Sequence, residues 1–245
     1  MASLAAARLA AVGVVLLAAA FPGRALACGA STGGEAGITG CSLAEHDEDM
    51  RPKWRVGGAY AFTSTGLHFT GGPRVDEIRN ATLVDLNFAP TPRLTLEAGA
   101  GAFLGGTITA PAAHYDMGPG FAGIVGASYR VLDARGAIPF VLLDLQLSYA
   151  NSSAPADVGY DAFDLRGGLS VGTTFWRIFT PYVVGRAFGG PVYWRYQGTA
   201  IVGTDDHHWQ VGVGFSLRIA SRVDLFAEGV PLGEQGATAG AGFSF

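Results

Sequence analysis

From Trp54 onward, apolar and polar side chains alternate along the chain with a period of two. Trp54, Val56, Gly58, Tyr60 and Phe62 share one parity, and Arg55, Gly57, Ala59 and Ala61 the other. Val84, Leu86 and Phe88 stand opposite Asp85 and Asn87, and Leu94, Leu96, Ala98 and Ala100 opposite Thr95, Glu97, Gly99 and Gly101. The same holds for Leu143, Leu145, Leu147 and Tyr149 against Asp144, Gln146 and Ser148. Phe163, Leu165, Leu169 and Val171 oppose Asp164, Arg166, Gly168 and Ser170, and Val211, Val213, Phe215 and Leu217 oppose Gly212, Gly214, Ser216 and Arg218. Successive side chains of a strand point to opposite faces, so this pattern predicts β-strands, each with one apolar face.

The connections alternate in length. Ala89-Pro90-Thr91-Pro92, residues 132–136, residues 176–179 and Ala220-Ser221-Arg222 read as short turns. Longer polar or glycine-rich stretches lie near 64–79, 105–118, 150–160 and 189–207, with a shorter one near 231–236, and these read as loops. Long loops on one rim and short turns on the other predict an all-β, antiparallel up-and-down barrel. The segments number about ten, with eight or twelve open because those near 121–131 and 181–188 are weak. Both termini fall on the short-turn side.

The two parities also predict which face meets what. A barrel in water buries its apolar parity and shows charge outside, whereas a membrane barrel does the reverse. No stretch after residue 50 carries the roughly 18 consecutive apolar residues of a spanning helix, so crossing would fall to strands. The polar parity carries both signs of charge: Arg55, Asp85, Glu97, Arg130, Asp144, Asp164, Arg166, Arg218 and Glu228. Facing a narrow lumen, these groups can pair and fill it, and an unpaired buried charge would cost several kcal/mol. Aromatic residues near strand ends (Trp54, Phe88, Trp176, Phe179, Tyr193, Trp194 and Trp209) are expected at the membrane–water boundaries.

Composition narrows the classes further. The chain has 245 residues, 49% hydrophobic and 15% charged, and 37 of them are glycine. That apolar content excludes a disordered chain. The formal charge of −4 offers no basic field to neutralise phosphates, which argues against nucleic acid as a partner.

Residues 1–27 resemble a secretory signal peptide. Arg8 precedes an apolar run over 9–21, Pro22-Gly23 breaks it, and Ala25-Leu26-Ala27 supplies the small residues of a cleavage site. Residues 28–53 then form a separate N-terminal segment on the periplasmic side, ahead of the barrel at 54–245. This segment holds the only cysteines, Cys28 and Cys41. An exported pair favours a disulfide. Cleavage after Ala27 would also leave Cys28 at the new N-terminus, as in a lipoprotein, although Ala25 stands where that motif favours leucine. Ser42-Leu43-Ala44-Glu45 fits a helix capping box.

The last eight residues carry a family resemblance. Thr238, Gly240, Phe243 and Phe245 match the terminal signal of bacterial outer-membrane β-barrel proteins: a polar residue, a glycine two places on, then alternate hydrophobics ending in an aromatic. The resemblance covers about residues 54–245 as architecture. It implies location in the bacterial outer membrane, with lipid around the barrel and the barrel-assembly machinery as partner during biogenesis.

Candidate chemistry is sparse. Asp205-Asp206-His207-His208 falls at the long-loop rim, where an Asp–His pair can activate water or bind a metal, as in the ten-stranded omptin-type proteases. That pattern needs a second aspartate pair, and only His114-Tyr115-Asp116 comes near. No G-x-S-x-G motif and no cofactor motif occurs. The leading expectation is therefore a non-enzymatic structural or surface-interaction barrel with a filled polar lumen. A small passive pore is the alternative, and a rim-located protease or lipid-modifying enzyme the third.

Overall fold

A computed structural model describes residues 31–33, 36–38, 54–133, 138–152, 159–176, 178–196, 198–220 and 222–245. The signal peptide, both cysteines, the capping box and the rest of 28–53 beyond one small hairpin lie outside the described residues. That hairpin pairs β1 (Ser31–Gly33) with β2 (Ala36–Ile38). No helix long and apolar enough to cross a membrane occurs among the described residues.

Ten antiparallel strands close into a barrel, as the alternation predicts. They are β3 (Trp54–Phe69), β4 (Arg74–Phe88), β5 (Leu94–Ala110), β7 (Gly120–Leu132), β8 (Phe140–Ser152) and β9 (Tyr160–Gly172), then β10 (Phe179–Gly189), β13 (Trp209–Ala220), β14 (Val223–Gly233) and β15 (Gln235–Ser244). The weak segments become β7 and β10. Each strand pairs with its neighbour in the chain's order, and β15 returns to β3 along a ladder from Gln235↔Ser64 to Ser244↔Arg55. Phe245 completes the seam, its amide donating to the Trp54 carbonyl at 3.0 Å. No edge is left open, which is the condition for a sheet in hydrocarbon.

Three further strands correct the expected loops. The stretch 64–79 is strand on both sides of a four-residue turn, with β3 and β4 in register from Trp54↔Phe88 to His68↔Arg74. The stretch 105–118 is the upper end of β5 folded against β6 (Ala113–Met117). The stretch 189–207 holds a hairpin of β11 (Val192–Tyr196) and β12 (Thr199–Asp205). Near 231–236 only Glu234 separates β14 from β15.

The physical reason is that the alternation inverts instead of stopping. Up to Phe62 on β3 and down to Phe88 on β4, the outward parity is apolar. Higher up, His68, Arg74 and Asp76 point outward, while Leu67, Phe69 and Val75 are buried inside. The upper barrel thus obeys the rule for water, and the lower barrel the rule for lipid. A reading tuned to one polarity loses the strand where the solvent changes.

The β14–β15 hairpin ends low, at Glu234. Above it the barrel narrows from ten strands to eight. β11 continues β10 upward past Gly190-Pro191 and stays on β9 (Val192↔Ala162 to Trp194↔Tyr160), while β12 leans over the β14–β15 tip and docks on β3 (Gly203↔Phe69, Thr204↔His68, Asp205↔Leu67).

Candidate functional site

Charged side chains of the inward parity line the lumen in tiers. At the lower tier, nearest the termini, Arg55 is fully buried and binds two acids. It meets Asp224 through Nε at 3.3 Å and Nη2 at 2.9 Å, and Asp85 through Nη1 at 3.2 Å. Asn87 donates to Asp85 from the same strand. Asp224 lies two strands away on β14, and Arg55 reaches it by lying over β15 at Gly242. A Cβ there would fall 1.9 Å from the guanidinium, so glycine is what opens the path.

The middle tier repeats the device. Arg186 forks onto Glu228 at 2.6 and 3.0 Å, and the Tyr182 hydroxyl donates to the same carboxylate at 3.0 Å. Between them runs β13, where a Cβ on Gly214 would strike the Tyr182 ring. Asp144 lies over Gly168 in the same manner. Planar bidentate pairs of this kind are the strong ones, and burial makes their completeness matter.

In the upper tier the chain crosses the lumen. Arg79 on β4 donates to the Tyr160 hydroxyl on the opposite wall at 3.0 Å and to Glu234 at 3.2 Å, with Glu77 at 3.7 Å from its Nε. Arg166 on β9 meets the other oxygen of Glu234 at 2.9 Å and Asp164 at 2.8 Å, its guanidinium 4.6 Å from the Phe188 ring centroid. With its amide oxygen turned to the cations, Gln210 accepts from Arg166 at 3.0 Å and from Arg186 at 3.2 Å, joining the two tiers. Glu234 reaches this position because Gly233 adopts a positive φ of 84° and turns the hairpin tip inward.

Above the ions sits an apolar cap. Trp194, Tyr160, Phe69, Phe103, Leu67 and Ile108 are fully buried together, with Tyr115 and Ile201 packed against them. Trp194 touches Phe69 and Tyr115, each at 5.3 Å between centroids. Side chains from opposing walls therefore occupy the upper lumen.

All nine lumen charges read from the sequence stand on the inward parity. Glu97 and Asp144 face the lumen within electrostatic reach of each other, Arg130 lies 3.7 Å from Asp133, and Arg218 lies at the lower end of β13. Five further charges were missed: Glu77, Arg79, Arg186, Asp224 and Glu234. Four of them fell in stretches read as loop, turn or weak strand. Their signal was present, since Glu77 and Arg79 share the odd parity of Asp85.

The rim tetrad is not assembled as a dyad. Asp205 points inward and accepts from the Thr65 hydroxyl at 3.4 Å, whereas Asp206 points outward to Arg74 at 2.6 Å. His207 and His208 are exposed, and His207 lies edge-on to Trp209. His114 lies 3.6 Å from Asp116 on β6, both exposed. Among the described residues no three metal-ligating side chains converge.

Outside, large apolar side chains circle the barrel, among them Val84 (61% exposed), Leu145 (58%) and Val213 (57%). Aromatic rings flank them. Trp54 stacks on Phe88 at 4.4 Å below, and Tyr149 meets Phe163 at 4.7 Å above. Trp194 is the exception to the expected boundary aromatics, because the inversion places it in the cap. At the C-terminus Phe243 and Phe245 face out, and Thr238 and Ser244 are buried on the inner side. A continuous apolar girdle of this extent suits lipid and not water.

No family model and no curated relative matches the chain. Solved structures similar to it are bacterial outer-membrane barrels. The outer-membrane protease OmpT of Escherichia coli aligns over 79% of this chain and 97% of its own, at 11% identity and a TM-score of 0.47. An outer-membrane channel of Pseudomonas putida F1 aligns over 83% and 98%, at 11% identity and 0.48. The translocator domain of the autotransporter NalP of Neisseria meningitidis aligns over 79% and 88%, at 12% identity and 0.45.

Proposed function

We propose that the protein is a structural or surface-interaction barrel of the bacterial outer membrane, with its termini periplasmic and its lumen filled by its own side chains. One observation carries the reading: Arg79 and Tyr160 join opposite walls beneath the fully buried Trp194 cap. A passive pore needs a continuous aqueous path, and here the path is occupied by paired ions below and apolar rings above. What the outside medium meets is the polar upper barrel, with the β5–β6 and β11–β12 hairpins as its projections. The terminal Thr238, Gly240, Phe243 and Phe245 would engage the barrel-assembly machinery during insertion.

Planar-bilayer recording of the purified full chain tests the reading. The expected record shows no unitary conductance steps at neutral pH. Regular steps in the wild-type protein would replace the filled barrel with the pore. Recovery of the protein in the soluble periplasmic fraction would remove the membrane assignment altogether.

A further inference from the structure

We propose that the seam between β3 and β12 is a pH-responsive opening of the upper mouth: the β11–β12 hairpin parts from β3 when the Asp205 carboxyl group loses its proton.

The seam is the short closure of the upper ring. β12 pairs with β3 over three residues, Gly203, Thr204 and Asp205, with one backbone bond beyond each end (Thr70 to Val202 at 3.0 Å, Asp206 to Gly66 at 2.8 Å), whereas β3 and β4 pair along their whole length. Below it the β15 ladder on β3 stops at Gln235↔Ser64, and on its other side β12 pairs with β11 of the same hairpin, so the two strands can part from β3 together. The hairpin enters through Gly190-Pro191, a point where the chain shifts between β10 and β11 while keeping β9 as neighbour. A hairpin held by a few ladder bonds and by packing is the low-stability element from which local opening is drawn.

Asp205 sits at the foot of this seam, above the apolar girdle, on a strand that does not span the membrane. Its side chain points inward opposite Leu67 and accepts from Thr65. From the β14–β15 turn it faces Glu234, from β4 Glu77 and Arg79, and from β9 Asp164. Arg79 is shared with Glu234 and Glu77, and Arg166 with Glu234 and Asp164. On the outer face of the same seam lie His68 opposite Thr204, and Arg74 bound to Asp206, with His207 and His208 exposed beyond. A proton lost from Asp205 therefore adds a buried negative charge among carboxylates whose arginines are already engaged. Burial first, and then the Glu234 charge, push the Asp205 carboxyl up to about 7, so the change falls in the neutral range.

The direction follows from linkage. An acid whose value is raised by closure favours the closed state below its ordinary range, and that support is lost as pH rises through the raised value. The seam is closed in acid and loosened above neutrality. Opening bares the apolar underside of the hairpin, Trp194 and Ile201, to the outer medium.

Trp194 reports this directly, since Trp54, Trp176 and Trp209 are all exposed and it alone is buried. The experiment uses the full chain refolded in detergent with Trp54→Phe, Trp176→Phe and Trp209→Phe, and measures quenching by acrylamide, a neutral probe indifferent to charge. Quenching is expected to rise about threefold or more between roughly pH 5.5 and roughly pH 8.5, while the heat-modifiable gel band persists. Asp205→Asn should hold the low value throughout. Glu77→Gln, which removes a like charge facing Asp205, lowers the cost of the ionised carboxylate in the closed seam and should move the opening to higher pH or reduce its extent. A flat response in the parent, an unchanged response in Asp205→Asn, an opening in Glu77→Gln that moves to lower pH or grows, or loss of the folded band across the transition would each overturn the proposal.

Discussion

At the scale of single residues, the inward glycines do as much as the charges they neighbour. Arg55 can bind Asp224 across β15 only while position 242 lacks a Cβ. Gly242→Val should therefore act like loss of the arginine, leaving Asp85 and Asp224 buried without their partner. Arg55→Ala is expected to lower unfolding stability by about 3–5 kcal/mol, the usual cost of stranding a buried charge. Urea titration of refolded protein measures both. Replacing Arg55, Asp85 and Asp224 together by apolar residues of similar size should recover most of the loss, because the strain lies in the unpaired charge and not in the missing bridge. Gly233 is different in kind: its φ of 84° and the nearness of the Trp209 carbonyl both exclude a side chain. Gly233→Val should withdraw Glu234 from Arg79 and Arg166, weakening the upper tier as a whole.

At the scale of elements, each strand carries two solvents in succession. β3 is lipid-facing from Trp54 to Phe62 and water-facing from Ser64 to His68, and its inner side changes from polar to apolar in the opposite sense. This divides stability along a single strand. Hydrogen exchange is expected to be slow at residues 55–63, paired on both sides by β15 and β4, and faster at residues 67–69, paired on one side by the short β12. Mass-resolved exchange of overlapping peptides would show the step, and equal protection along the strand would mean that the β12 ladder is as firm as the barrel wall. With Asp205 held at about 7, the difference should widen as pH rises through neutrality, after correction for the intrinsic rate.

At the scale of the whole molecule, closure depends on the last residue meeting the first strand. Phe245 exchanges backbone hydrogen bonds with Trp54, and its ring lies 6.4 Å from that of Phe243 on the lipid side. It adds little buried core. Deleting it is expected to reduce insertion in cells severalfold, while the stability of protein refolded into detergent changes by less than about 1 kcal/mol. Quantifying the heat-modifiable band in outer-membrane fractions checks the first part and urea titration the second. Normal insertion of the deletion variant would make the terminal motif incidental to assembly.

What the sequence determined by itself is whatever depends on parity. The presence of spanning strands, the outward face of Val84 or Leu145 and the inward face of all nine charges follow from a period of two, because a strand has no other way to present its side chains. The count, about ten with eight or twelve open, became ten only in the closed sheet. The glycine excess and the opposed signs of charge were legible too, though not their purpose. Which arginine meets which acid was not, since Arg55 and Asp224 are 169 positions apart and their contact depends on strand order, stagger and the gap at Gly242. The continuation of β3 and β4 through 64–79 was hidden for another reason. Whether Leu67 belongs inside or outside depends on the height at which the membrane ends, and only the closed barrel defines that height. The same holds for Trp194, an aromatic near a strand end that reads as a boundary anchor. It becomes the centre of the cap because β11 and β12 fold over a hairpin whose low tip was decided by Gly233, Glu234 and two cations far away in the chain.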